Sequence, residues 1–417
     1  MSNQCPNGWN STTLLDVSEK VKAGPFGSAI TKSMYVADGF KVYGQEQVIA
    51  GDISIGSYFI SEEKFEELSS FSVQEGDILM SCVGTFGKTL LVPEKHKQGI
   101  INPRLILVRL KDDFCPLFVQ YLLSSSLVQD QLLSCLGGGT MGVINATMLK
   151  RLSLRTPPLP EQKKIAEILS GIDNLVRSLT EHNQKLEATK TALSKELISG
   201  HSGHRKESPY GQIPEHWIES TLGGIIGMAN LQTGPFGSQL HAHEYTTEGI
   251  PVVMPQDMRK CGVVTDKIAR ITPDRAQTLE KHKVSPGDIL FSRRGDIGRH
   301  AIISTNESGW ICGTGCLRAR TDGAINPIFL SELLRHKYAL EWLNANAVGQ
   351  TMLNLNTGIL ADLPVVVPPA DEQEKIANSL SSINEQTRKI ANKIWHTQNL
   401  KAAVASDLLS GRKRVSV

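Results

Sequence analysis

"PPLPEQKKIA" fills Pro157–Ala166, and "PPADEQEKIA" fills Pro368–Ala377, 211 residues later. Paired prolines end a strand and suit the first turn of a helix, because proline has no N–H to give and its φ is already helical. Each stretch therefore predicts the start of a helix. The first continues through Ile165, Leu169, Ile172, Val176, Leu179, Asn183, Leu186, Lys190, Leu193 and Leu197. The second gives Ile376, Leu380, Ile383, Thr387, Ile390, Ile394, Thr397, Lys401, Val404 and Leu408. Alternating steps of four and three make a heptad seam, the mark of helices that pair. Gly200 and Gly411 stand where helix C-caps belong. Two equal seams, with polar breaks near Lys190 and Lys401, predict that the helices pair with each other, antiparallel.

The duplication extends outward from these helices. "GPFGS" occurs at Gly24–Ser28 and again at Gly234–Ser238. "GDIL" at Gly76–Leu79 returns at Gly287–Leu290, and "SCVGTFGK" (Ser81–Lys88) aligns with "SRRGDIGR" (Ser292–Arg299). Trp9 and Leu14 match Trp217 and Leu222. Two long copies indicate a pseudo-twofold protein, since a solenoid needs more and shorter repeats. "GDILMS" reads as a turn and a strand, "RLILVRL" (Arg104–Leu110) as a strand and "PLFVQYLLSS" (Pro116–Ser125) as a short helix. The expected fold class is α+β: two pseudo-twofold-related globular domains separated by an antiparallel coiled coil of two long helices. The expected boundaries are 1–155 for the first domain and 156–200 for the first long helix. Linker and second domain take 201–365, and the second helix with a basic tail takes 366–417. Gly24, Gly27, Gly234 and Gly237 should shape tight turns with Phe26 and Phe236 packed beneath them.

Composition limits the partners. With 44 basic and 42 acidic residues among 417 the net charge is +2, which excludes a polybasic tail but not a local DNA-binding face. Seven cysteines form no CxxC pair, as expected of reduced thiols in a cytoplasmic protein. No apolar run is long enough to span a membrane, and "MSNQCPNGWN" does not read as a signal peptide.

Catalytic motifs fail residue by residue. A phosphate-binding loop needs GxxxxGK[ST], but Cys82 stands where the first glycine belongs in "CVGTFGKT". "INPRL" (Ile101–Leu105) and "INPIF" (Ile325–Phe329) are not the Asn/Asp-Pro-Pro-aromatic tetrapeptide of an amino-methyltransferase. "HAH" (His241–His243) has no HExxH or cysteine pair beside it, and His201 and His204 read as solvated linker residues. No catalytic residue, cofactor site or metal site is expected.

The two globular domains opened by "GW…TL" or "HW…TL" and "GPFGS", each with "GDIL" and followed by a "PLPEQ…IA"-type helix, resemble the specificity subunit of type I restriction–modification enzymes. The resemblance covers essentially the whole chain. It implies that each globular domain is a target-recognition domain reading one half of a split double-stranded DNA sequence. It implies helices that hold the domains apart and dock two methyltransferase subunits, with two restriction/translocase subunits completing the complex. S-adenosylmethionine, ATP and Mg would be bound by those partners. The competing class is a duplicated scaffold that binds protein or another ligand.

Net charge is −1 over residues 1–155 and 0 over 201–365, so DNA contacts must come from local clusters. Ser292, Arg293, Arg294 and Arg299 form one, on a glycine-containing turn after a strand, where arginine can fork onto guanine or clamp phosphate. Ser81, Thr85 and Lys88 stand in the other copy, so the halves should prefer different sequences. Gln45, Glu46 and Gln47, with Gln256 and Asp257, carry amides suited to adenine and carboxylates suited to cytosine, or else form polar turns that cap their own backbone. Thr140, Gln350, Thr351 and Asn354 are candidates for phosphate or base edges, and Ser28 and Ser238 for phosphate.

Overall fold

The computed structural model describes residues 5–26, 28–85, 87–135, 144–199, 204–236, 239–259, 261–349 and 353–416. The chain divides into two compact units, residues 1–180 with 392–417, and residues 181–391. These units cut across the expected boundaries: each takes the beginning of one long helix and the end of the other. The long helices are Leu159–Ser199, 41 residues, and Ala370–Leu409, 40 residues.

Unit 1 carries a four-stranded antiparallel sheet in the order Ser18–Ala23, Leu105–Leu110, Ile78–Ser81, Thr89–Leu91. A second sheet orders Phe59–Ile60, Phe40–Tyr43, Gly99–Ile101, the last pair parallel. Unit 2 repeats both. Its sheets run Leu231–Thr233, Cys316–Ala319, Ile289–Ser292, His300–Ile302 and Ala269–Ile271, Ile250–Val253, Ile311–Cys312. The units differ where Gln45–Ala50 is helical in one and a hairpin, Met258–Arg259 with Gly262–Val263, stands in the other.

The repeated "GDIL" explains itself. Gly76 and Gly287 adopt φ of +79° and +89°, open to glycine without strain. The next residue closes the turn: Asp77 accepts from Gln74 N–H at 2.7 Å and Asp288 from Ser285 N–H at 2.8 Å. Each aspartate also takes two bonds from an arginine, Arg109 of the neighbouring strand (both 2.8 Å) and Arg320 directly after the neighbouring strand (both 3.1 Å). Both carboxylates are buried, and a buried charge persists only when paired and hydrogen-bonded.

The Glu–Gln pair of the opening motif does more than start a helix. Gln162 is buried, donates to Pro157 O at 2.9 Å and accepts from Cys115 N–H at 2.9 Å, fastening the long helix to helix Pro116–Ser124. Gln373 does the same with Pro368 O and Asn326 N–H, at 2.9 and 2.7 Å. The glutamates differ. In unit 1 Glu161 receives Arg414 through two bonds of 2.6 and 2.7 Å, and Arg414 lies over the Trp9 ring. In unit 2 Glu372 accepts from Trp217 Nε1 at 2.9 Å and pairs with His216 at 2.8 Å.

Within each unit the long helices run antiparallel. In unit 1 Ile165 and Leu169 share an apolar cluster with Val404 and Leu408, and Lys401 Nζ lies 2.5 Å from Asp173 Oδ1. In unit 2 Leu197 packs with Ile376 and Leu380. Thr397 is buried and the other seam positions are partly buried, while most of their neighbours are exposed, as a period of 3.5 requires. The polar breaks at Lys190 and Lys401 are ion pairs with exchanged parts. Lys401 faces Asp173 on a long helix and the Tyr121 ring at 5.2 Å; Lys190 faces Glu332 on helix Pro327–Leu334 at 3.7 Å. Asn384 and Glu332 occupy the places equivalent to Asp173 and Tyr121. The carboxylate has changed element and the lysine has kept one.

Gly411 closes the second helix at φ +72°. Gly200, His201, Gly27 and Gly237 lie outside the described residues. All seven cysteines are unbridged. Among the described residues no helix is long and apolar enough to cross a membrane.

Candidate nucleic-acid interface

Four of the five segments singled out below are sequence candidates; the loop Asn102–Arg104 is new. Backbone hydrogen bonds draw them to one end of the four-stranded sheet in each unit, where Ile78–Ser81 or Ile289–Ser292 stops. In unit 1 Gly24 N–H donates to Leu105 O at 2.9 Å, Cys82 N–H to Arg104 O at 3.1 Å and Asn102 N–H to Tyr43 O at 2.8 Å. Ile144 N–H donates to Cys82 O at 3.0 Å. Unit 2 repeats the set with Gly234 to Cys316 O (2.9 Å), Arg293 to Gly315 O (2.8 Å), Gly313 to Val253 O (2.9 Å) and Leu355 to Arg293 O (2.9 Å).

The scaffold is common and the side chains on it differ. In unit 1 Ser28, Glu46, Thr85, Lys88 and Arg104 are exposed there. Gln45 is half-buried and donates to Val83 O. In unit 2 Arg294, Gln256 and Arg259 are exposed. Arg293 Nε donates to Asn354 Oδ1 at 3.1 Å, with its guanidinium 5.4 Å from the Phe236 ring centroid. Arg299 is held by Asp296 at 2.8 Å and by Pro255 O at 3.2 Å.

Several expected readers are instead committed to the scaffold. Gln47 is fully buried; it accepts from Gly44 N–H and donates to Ile55 O, both at 2.8 Å. Asp257 is buried and accepts from Met254 N–H at 2.8 Å. Burial pushes its carboxyl above the usual carboxylate value, against the Met254 N–H and Arg259. Capping thus takes both side chains. The Ser81 and Ser292 hydroxyls are buried and donate to Thr85 O (2.6 Å) and Arg294 O (2.8 Å), shaping the turns that carry Lys88 and the arginines. Phe26 and Phe236 are not packed beneath their turns. Gly24 and Gly234 lie so close to the carbonyls of Asn102 and Gly313 that the space beneath is already backbone, and the rings stand outside. Thr140, Ser238, Gln350 and Thr351 lie outside the described residues.

Sequence reading missed Arg104, whose N–H donates to Asn102 Oδ1 at 2.9 Å, because "INPRL" was weighed only as a failed tetrapeptide. It also missed a cleft of about 780 Å³ in unit 2, lined by Gln256, Arg259, Asp296, Arg299 and Arg335. Cys261 and His300 line it too. His300 shares 2.8 Å with Ser331 Oγ and 2.9 Å with Gly298 O. Burial alone would lower its imidazole, but Cys261 and the Gly298 carbonyl bring it above the ordinary value. In unit 1 a cleft of about 610 Å³ is lined by Lys41, Lys95, His96 and Lys97. The run Lys95–Lys97 was the available signal for it.

Arginines and amides braced on glycine-bearing turns suit a polyanion with readable edges: guanidinium for phosphate or guanine, amide for adenine.

The family model described as "Type I restriction modification DNA specificity domain" matches this chain twice, at residues 6–188 and 214–396. The chain is 25% identical over 425 residues to the putative type I restriction enzyme MjaX specificity subunit of Methanocaldococcus jannaschii, covering 99% of this chain and 95% of that protein. It is 22% identical over 358 residues to the type I restriction enzyme EcoBI specificity subunit of Escherichia coli, covering 80% and 73%. Among solved structures, the type I restriction–modification S subunit from M. genitalium matches with a TM-score of 0.62 at 16% identity, covering 98% of this chain and 97% of that one. A chain from a type I R-M system solved for its complex assembly and conformational transition matches with a TM-score of 0.58 at 18% identity, covering 98% and 99%. These structures share the fold.

Proposed function

Since the chain belongs to the type I restriction–modification DNA specificity family and carries its domain twice, we propose that it reads a two-part double-stranded DNA target, one part with each copy. One observation carries this reading. The same backbone hydrogen bonds assemble the same segments in both units, yet the side chains mounted on them differ. Lys88, Thr85, Arg104 and Gln45 face one half; Arg293, Arg294, Arg259 and Gln256 face the other. A shared frame with unlike readers gives two specificities in one chain.

The chain supplies recognition and directs partners that perform the chemistry. Two methyltransferase subunits bind S-adenosylmethionine, and two restriction/translocase subunits bind ATP and Mg. The assembly acts in the cytoplasm.

The test is co-expression with the methyltransferase subunit, followed by genome-wide mapping of methylated bases. The expected motif is two short defined sequences around an undefined gap, and it disappears without this chain. A single contiguous motif, or methylation independent of this chain, overturns the reading.

A further inference from the structure

The identical turns of the two units each hold a phenylalanine in the open. Phe26 is 89% exposed and Phe236 50%. Scattered exposed apolar residues are ordinary on a protein surface. These two are not scattered: they occupy equivalent places in two copies whose neighbouring side chains differ.

The turns lie tight against the chain beneath them. Gly24 and Gly234 sit against the carbonyls of Asn102 and Gly313, with no room for even a methyl group. Ala29 N–H donates to Phe26 O at 2.8 Å, and Gln239 N–H to Phe236 O at 2.7 Å. Each ring is therefore presented on a braced support. Arginines stand on the neighbouring segments. Exposed Arg104 stands on the loop that braces Gly24; Arg293 lies over Phe236, and exposed Arg294 follows it.

The geometry points to Phe26 and Phe236 as paired wedges, each entering the base stack of its own half of the DNA target. This rests on the recognition reading above and adds where the duplex is deformed. An apolar side chain inserted at a base step partly unstacks it and bends the duplex, bringing more DNA surface onto the protein. Stacking is tolerant of sequence, because every base has a π-face. That accounts for an identical turn in both copies beside readers that differ. Arginine beside the ring meets the phosphates flanking the opened step. Arg293 lies over Phe236 and swings aside when the ring enters the stack.

The experiment uses the chain in complex with its methyltransferase partner and the motif from methylation mapping. Duplexes carry 2-aminopurine at successive positions through each half. The wild-type complex is expected to raise fluorescence at one step per half. Phe26→Ala should abolish the signal in one half only and Phe236→Ala in the other, each weakening binding by about 5- to 100-fold. Phe26→Trp should retain both signal and affinity. Each variant should still reject DNA altered in either half. If discrimination persists while wild-type protein unstacks no step, the wedge is refuted and the recognition reading stands. If the alanine variants lose the methyltransferase subunit but not DNA, the turns are a protein-docking surface and the wedge is refuted. If wild-type complex discriminates neither half, the recognition reading itself fails.

Discussion

Replacing Gly24 with alanine should cripple one half of DNA recognition and spare the other. An added methyl would overlap Asn102 O, so the turn and the loop Asn102–Arg104 must part. Two hydrogen bonds hold that junction, Gly24 N–H to Leu105 O at 2.9 Å and Asn102 N–H to Tyr43 O at 2.8 Å. Each is worth about 0.5–1.5 kcal/mol net, so losing both costs unit 1 about 1–3 kcal/mol. For a unit of this size that lowers Tm by about 2–12 °C. The same displacement moves Arg104 and the turn after Ser81, which Cys82 N–H ties to Arg104 O. Gly234→Ala should do the same to unit 2 through Gly313 and Val253. Gly171→Ala is the control: it lies in a long helix with nothing near its missing Cβ, and should stabilise by about 0.5–1 kcal/mol. Scanning calorimetry gives the stability, and binding to duplexes altered in each half gives the specificity. An unchanged Tm and intact discrimination in Gly24→Ala would refute the close approach as the organiser of the reading end.

Replacing Arg293 and Arg294 with alanine should weaken one half-site and leave preference for the other intact, with about 1–3 kcal/mol lost per base contact; competition binding with half-site variants checks this. Asp173→Asn removes the carboxylate facing Lys401, a partly exposed pair, and should destabilise unit 1 by about 1 kcal/mol in urea unfolding. Burial, then Asp173, holds the Tyr121 hydroxyl well above its ordinary pKa, so the same variant should lower that pKa in an ultraviolet titration. Burial holds the His282 imidazole below its ordinary value, so the unfolded chain protonates first and acid erodes stability from about pH 6.5 downward. His300 is shifted the other way and gives the opposite slope. The wild-type minus His282→Gln difference in unfolding free energy isolates His282, and should shrink as pH falls through that range.

What the sequence disclosed came from periodicity and exact recurrence. The Glu–Gln pair and "GDIL" need a fixed residue at a fixed place, and the heptad seam needs only a period, so all three survive in both copies and are visible without a structure. The errors arose where residue type stood in for environment. Phe26 reads as core by its chemistry, but it stands exposed, and the turn that carries it lies at Gly24 against the Asn102 carbonyl, whose approach depends on a hydrogen bond to Tyr43 far off in sequence. For Gln47 and Asp257 the sequence left two readings open, base reader or cap of the local turn, and burial with a bond to their own turn decides for the cap. Arg104 was overlooked because its importance comes from the segments around it, which only non-local strand pairing assembles. The unit boundaries inside the long helices are likewise set by side-chain packing, with no break in helical periodicity to announce them.

The way unit 1 is put together sets a timetable for its synthesis. Residues 181–391 form unit 2 from one continuous stretch, whereas unit 1 needs residues 392–417 as well as 1–180. At the usual 5–20 residues per second, Ile165 and Leu169 emerge and then wait about 10–50 s for Leu408 and Leu409, and Trp9 waits about 20–80 s for Arg414. Unit 2 can finish during that interval. The first part made is thus the last part closed, and for that time its apolar seam is open to any other helix the ribosome or a neighbouring chain presents.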